Sequence, residues 1–212
     1  MSRSGLQARI AAARLYGILD TSYSDPARWP DLATQLIEGG VGLIQLRAKN
    51  SDPALLLDTI PKVLAVTRPN AIPLIINDHP DIAAATGADG CHVGQEDMPV
   101  EEVRRIIGPD RVVGKSTHSL AQARAGEAEG ADYIGFGPIF ATQTKPDYIP
   151  IGPEVIRQMS REIKIPAFCI GGIKLENLPG LLACGARRVV IVSGLLQALD
   201  PAAYARKVLQ QL

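Results

Sequence analysis

Gln45, Arg47 and Lys49 alternate with Leu46 and Ala48. In an extended chain successive side chains point to opposite faces, so an amide and two cations share one face at the end of an apolar run. That group suits an anionic ligand, and a solvated loop would carry the same residue types. Two acidic stretches follow, Asn77-Asp78-His79-Pro80 and Gly94-Gln95-Glu96-Asp97. Carboxylates at the tips of neighbouring parallel strands converge, and a pair of them beside cations can hold Mg²⁺ on a phosphorylated substrate. Each stretch also reads as a helix start, with Asp78 or His79 near a cap before Pro80, and Asp97 before Met98-Pro99. His92, between Cys91 and Val93, is expected to be a hydrogen-bonded interior histidine rather than a ligand.

Hydroxyls cluster next, in Lys115-Ser116-Thr117-His118-Ser119, where they can donate to phosphate oxygens, cap the following helix, or do both. The segment GPIFATQTKPDYIPIG, starting at Gly137, is too long and too rich in Thr and Pro for a simple connector. Its Thr142, Thr144 and Lys145 read as anion-binding groups on a mobile loop. Gly171-Gly172 and Ser193-Gly194 close two later apolar runs, where backbone N–H groups can approach a ligand. The tally is two anion-binding regions, a cationic rim and a candidate metal pair. It points to two phosphorylated substrates, or to one with phosphates at both ends.

These groups share a position: each follows a short β-branched run. The runs lie at 15–19, 42–47, 73–77, 90–93, 112–116, 133–137, 167–171 and 189–193. Between them stand stretches with helical spacing, such as DLATQLIEGG and PVEEVRRIIG, most of them closing on Gly. Strands apolar on both faces and alternating with helices predict a parallel sheet. Eight such units predict an α/β fold, a single (β/α)8 TIM barrel over residues 1–212, with 1–14 as an N-terminal extension or helix. An open doubly wound sheet is the alternative, weakened because no strand leads into Gly-x-Gly-x-x-Gly. In a barrel of this kind the reactive groups sit at the C-terminal ends of the strands, where these polar clusters fall.

Composition narrows the function. The chain has 22 Lys plus Arg and 22 Asp plus Glu, so no global field holds nucleic acid or an anionic membrane surface, and any phosphate chemistry is local. The longest apolar stretch, 189–199, is too short for a span and is broken by Ser193, Gly194 and Gln197. Without a secretory apolar run near the start, a cytoplasmic location is the default expectation. Cys91, Cys169 and Cys184 lack metal-ligand spacing and read as small buried hydrophobes. A homo-oligomer is compatible with all of this.

The motifs QLRAK (45–49), Asn77-Asp78, HVGQED (92–97), GKSTH (114–118), GPIFATQTK ending at Lys145, IGGI (170–173) and Val192-Ser193 together resemble the thiamine phosphate synthase family. The resemblance implies an enzyme on a (β/α)8 barrel that joins a pyrimidine methyl diphosphate to a thiazole ethyl phosphate and releases pyrophosphate. By motif position it implies that Gln45, Arg47, Lys49, Asn77, Ser116 and Lys145 hold the pyrimidine diphosphate and that Asp78 and Asp97 ligate Mg²⁺. It assigns Thr142, Thr144, Gly171, Gly172, Val192 and Ser193 to the thiazole phosphate. In the implied mechanism pyrophosphate leaves first, and Arg47, Lys49, Ser116 and Lys145 are the catalytic candidates. Leu19-Asp20 and Cys91 depart from the family's common form and are expected to lie away from the chemistry. A thiazole tautomerase relative carries a His where this chain has Pro138 and lacks the full Thr-x-Thr-Lys. A non-catalytic barrel that binds thiamine precursors would not need the Asp pair.

Overall fold

A computed structural model describes residues 1–49, 51–142 and 149–212. Eight parallel strands close in sequence order into a barrel: β1 (Leu15–Asp20), β2 (Leu43–Arg47), β3 (Leu74–Asn77), β4 (Gly90–Val93), β5 (Val112–Thr117), β6 (Tyr133–Phe136), β7 (Ala167–Cys169) and β8 (Val189–Ile191). The expected (β/α)8 barrel is the observed fold. The helices between the strands are α2 (Trp29–Glu38), α3 (Pro53–Thr67), α4 (Pro80–Thr86), α5 (Val100–Ile107), α6 (Leu120–Ala128), α7 (Ile156–Glu162) and α8 (Leu178–Ala183). A helix α1 (Arg3–Ala12) precedes β1, and α9 (Ser193–Leu196) and α10 (Pro201–Gln211) follow β8. Among the described residues no helix is long and apolar enough to cross a membrane.

Strand parity builds the core in two layers. One set, including Leu15, Leu19, Ile44, Leu46, Leu74 and Ile76, packs outward against the helices. The alternate set, Tyr16, Ile18, Leu43, Ile75, Val112, Tyr133, Phe168 and Val190, fills the interior. Leu6 and Ile10 of α1 join that inner layer, so the N-terminal helix seals the end of the barrel where the strands begin. Asp132, just before β6, fastens the seal. Its buried carboxylate accepts from Arg3 Nε at 2.8 Å, Gln7 Nε2 at 2.7 Å, Arg104 at 2.9 Å and the Val113 N–H at 2.7 Å.

The helix starts resolve which polar residues are caps. Ser2, Asp52, Ser119 and Asp200 each accept a first-turn backbone N–H of α1, α3, α6 and α10. Asp78 and Asp97 do not: α4 starts at Pro80 behind His79, and α5 starts at Val100 behind Pro99, neither with a side-chain cap. Both carboxylates are therefore available for other work. Strands β7 and β8 end two residues before the runs read from sequence, because Gly171 turns the chain to φ 99 and Val192 turns it into α9.

Candidate active site

Along β1, β2, β3 and β5 the inward positions change from apolar to polar toward the C-terminal end. On β1 they run Tyr16, Ile18, Asp20; on β2, Leu43, Gln45, Arg47; on β3, Ile75, Asn77; on β5, Val112, Gly114, Ser116. The polar tier lines a cavity of about 110 Å³ with Gln45, Arg47, Asn77 and Ser116 on one side. Thr142, Gly171, Gly172, Val192 and Ser193 line it on the other. These nine of the residues assigned to the two substrates thus meet around one space, while Lys49, Asp78 and Asp97 are not among its lining residues. Thr144 and Lys145 lie outside the described residues.

Arg47 does not hang free at its strand tip. Asp20 is its partner in the β1–β2 register, and the Arg47 guanidinium donates to the fully buried Asp20 carboxylate at 2.6 Å. The other Asp20 oxygen accepts the Ser22 N–H at 2.8 Å. This corrects the expectation that Asp20 lies away from the candidate site: it lines the cavity and fixes the direction of the Arg47 guanidinium. The parity of β1 carries the signal, since Tyr16, Ile18 and Asp20 must share the inner face.

Asp78 and Asp97 come together at the rim. Asp78 has φ 62, an uncommon backbone for a residue other than glycine, and its N–H donates to the His92 carbonyl at 2.9 Å. Gly94 N–H donates to Asp97 Oδ2 at 2.6 Å. Burial raises the Asp78 pKa; the Asp97 charge and a hydrogen bond between the two side chains raise it further, while Lys49 and Arg47 pull it down. Lys49 itself is exposed at the tip of β2. Among the described residues no three His, Cys, Asp or Glu side chains gather as a metal cage. Two carboxylates pressed together, with cations nearby, nevertheless match the way Mg²⁺ is held, by one or two carboxylates and the oxygens of a phosphorylated ligand.

The opposite wall is built from close backbone. Gly171 and Gly172 have φ 99 and 62, and side chains there would collide with Pro138 and with Phe140 and Ala141 of the loop after β6. That loop docks through Ile139 N–H to the Ile170 carbonyl at 2.8 Å and Phe140 N–H to the Gly171 carbonyl at 3.1 Å. Lys174 also lines this wall, a cation the motif reading passed over.

Around the polar tier lie groups that the sequence motifs left without a role. His92 is buried and hydrogen-bonded, as expected, between Tyr133 and Ser116. His118 Nδ1 meets the Gly137 carbonyl. Burial raises the Tyr16 and Tyr133 hydroxyls far above their ordinary range. Cys91 and Cys169 are buried thiols; burial pushes Cys169 up to about 12, and burial with the charges of Asp78, Asp81 and Asp97 pushes Cys91 higher still. Both stay protonated. Cys184 is only half-buried, so the expectation of a buried hydrophobe holds for two of the three.

A closed (β/α)8 barrel with a cation-and-carboxylate rim facing a glycine-lined wall at the C-terminal ends of the strands has the form of a barrel enzyme with its active end there. Residues 15–195 match the model of the thiamine monophosphate synthase family, and the chain belongs to that family, whose members are transferases. It is 43% identical over 188 residues to a thiamine-phosphate synthase of Halalkalibacterium halodurans, covering 88% of this chain and 89% of that one. A thiamine-phosphate synthase of Shouchella clausii is 38% identical over 197 residues, covering 92% and 94%. The solved structure of a thiamine phosphate pyrophosphorylase from Pyrococcus furiosus superposes with a TM-score of 0.86 at 30% identity, covering 97% of this chain and 96% of that one.

Proposed function

We propose that the chain joins an aminopyrimidine methyl diphosphate to a thiazole ethyl phosphate, forming thiamine phosphate and pyrophosphate. The observation that carries this reading is the pairing of walls around one cavity, Arg47 on one side and the Gly171-Gly172 turn on the other, with the Asp78–Asp97 pair at the rim within reach of the Arg47 charge. In the proposed reaction the bond between the pyrimidine methylene carbon and the diphosphate oxygen breaks, and its electron pair leaves with pyrophosphate. The lone pair of the thiazole nitrogen then forms the new carbon–nitrogen bond.

Asp78 and Asp97 would hold Mg²⁺, which supplies positive charge to the departing diphosphate. Arg47, locked by Asp20, and Lys49 are set to offset the same developing charge. Lys145, assigned on the family motif, would add to it. Gln45, Asn77 and Ser116 orient the pyrimidine half. The backbone at Gly171 and Gly172, with Thr142, Thr144, Val192 and Ser193, receives the thiazole phosphate. No covalent nucleophile is required, in keeping with the protonated, buried Cys91 and Cys169.

The direct test is incubation of the purified chain with both substrates and Mg²⁺, with thiamine phosphate and pyrophosphate measured together. Their formation in equal amounts is the expected result. Binding of both substrates without product would refute the reading in favour of a non-catalytic binder.

A further inference from the structure

Five side chains cross the inside of the barrel as one hydrogen-bonded file. Gln45 Nε2 donates to the Tyr16 hydroxyl, which lies 3.1 Å from the Tyr133 hydroxyl. The Tyr133 oxygen is 3.2 Å from His92 Nδ1, and His92 Nε2 is 2.9 Å from Ser116 Oγ. The file runs from β2 through β1, β6 and β4 to β5, and both ends, Gln45 and Ser116, face the cavity. The aromatic members are packed in place. Tyr16 and Tyr133 meet edge to face with centroids 6.0 Å apart, and Phe168 stands 5.3 Å and 5.9 Å from them. Gly114 leaves the room for the Tyr133–His92 contact, since a Cβ there would overlap both the Tyr133 ring and His92 Nδ1.

With Gln45 donating through Nε2 at one end, counting protons gives the rest of the file a direction. Each phenol has one proton, and both phenols stay protonated in their buried positions. The Tyr16 oxygen accepts from Gln45, so its proton goes to Tyr133. The Tyr133 proton goes on to His92 Nδ1. An imidazole that accepts at Nδ1 carries its proton on Nε2, and that proton goes to Ser116 Oγ. Ser116 accepts from below and keeps its own proton for the cavity. Gln45, donating downward through Nε2, keeps Oε1 as an acceptor.

We propose that Tyr16, Tyr133 and His92 are positioning residues that set the hydrogen-bonding sense of the substrate pocket, presenting Ser116 as a donor and Gln45 as an acceptor. The inference rests on the reading above for the identity of the substrate, whose aminopyrimidine diphosphate half meets these two residues. A hydroxyl free to rotate would lose part of its binding contribution to the choice between donating and accepting. One held by His92 is already arranged.

The test has two parts. With ¹⁵N-labelled histidine, the wild-type protein should show His92 protonated on Nε2 and unprotonated on Nδ1, the signal being assigned with His92→Gln. Tyr133→Phe removes the hydroxyl that fixes this tautomer. It should alter the His92 signals and raise KM for the pyrimidine diphosphate about tenfold, the size of one lost oriented hydrogen bond, with kcat and KM for the thiazole phosphate within about twofold. Gly114→Ala, which forces Tyr133 and His92 apart from the β5 side, should do the same. A wild-type proton on Nδ1, or a folded Tyr133→Phe protein with unchanged His92 signals or unchanged KM, overturns the proposal. If the wild-type chain makes no thiamine phosphate, the functional reading falls, and the wild-type tautomer still decides whether the file has the stated direction.

Discussion

Replacing Asp20 with Asn tests the least expected contact of the site. Asp20 is fully buried, and the side chain of its partner Arg47 is 11% exposed, so the ion pair sits almost entirely out of water. Removing one member of a buried pair typically costs about 3–5 kcal/mol, because the remaining charge is left uncompensated. The lower end applies here. Asn keeps an oxygen for the Ser22 N–H, and Arg47 borders a cavity where it can recover some hydration. A loss of about 3 kcal/mol in a domain of this size corresponds to a midpoint lowered by roughly 6–12 °C. Activity is subject to two opposing effects: a guanidinium without its carboxylate attracts diphosphate more strongly, but it also loses its fixed direction. Direction dominates, since a misplacement near 1 Å can cost on the order of a hundredfold. Arg47 remains anchored by β2, so kcat/KM for the pyrimidine diphosphate should fall roughly tenfold. Calorimetry and steady-state kinetics at 25 °C check both numbers. An unchanged melting midpoint would show that Arg47 does not depend on Asp20, and an unchanged kcat/KM with a lowered midpoint would confine Asp20 to stability.

Asp78→Asn and Asp97→Asn should each cut turnover sharply at limiting Mg²⁺, measured as pyrophosphate release; equal rates for variant and wild type would remove the metal assignment. Because the Asp78 pKa is raised above 3.8 in the folded protein, the folded state binds the extra proton, and wild-type stability should fall as pH rises from about 3.8 through that higher value. Metal-free Asp78→Asn should lack this slope and melt above wild type at neutral pH, whereas Mg²⁺ should raise only the wild-type midpoint. Asp132→Ala breaks the seal between α1 and the barrel and should cost about 3–5 kcal/mol by urea unfolding with kcat unchanged, since it lies at the opposite end from the cavity. A lowered kcat in the folded fraction would contradict that separation. Lys145→Ala should slow single turnover at saturating substrates about a hundredfold, as expected for a contact that strengthens in the transition state. A wild-type single-turnover rate with only a raised KM would make Lys145 a binding residue.

Much of this was legible in the residues themselves. Eight β-branched runs separated by helical stretches specify a barrel because strands buried on both faces need helices to cover them. The polar residues at the run ends specify the site because alternation sends every second side chain inward, and the inner positions turn polar at one end. Gln45 and Arg47 were readable from that alternation, and Asn77 and Ser116 from their place at the ends of their runs.

What the chain order could not supply is which inward residue of one strand meets which of another. Closure and register decide that, and both are properties of the whole sheet. Asp20 faces Arg47 only because β1 and β2 pair Asp20 with Arg47; one step of slip would turn the carboxylate to the helices. Asp78 and Asp97 read equally well as caps until the helices began beyond them. The file from Gln45 to Ser116 draws on five strands whose members are up to 117 residues apart, and the direction proposed for it needs the Gln45 amide at one end and the phenols packed against His92 at the other. Strand identity and facing are local, set by residue type and a period of two. The partnerships that orient the site are global, set by how the barrel closes.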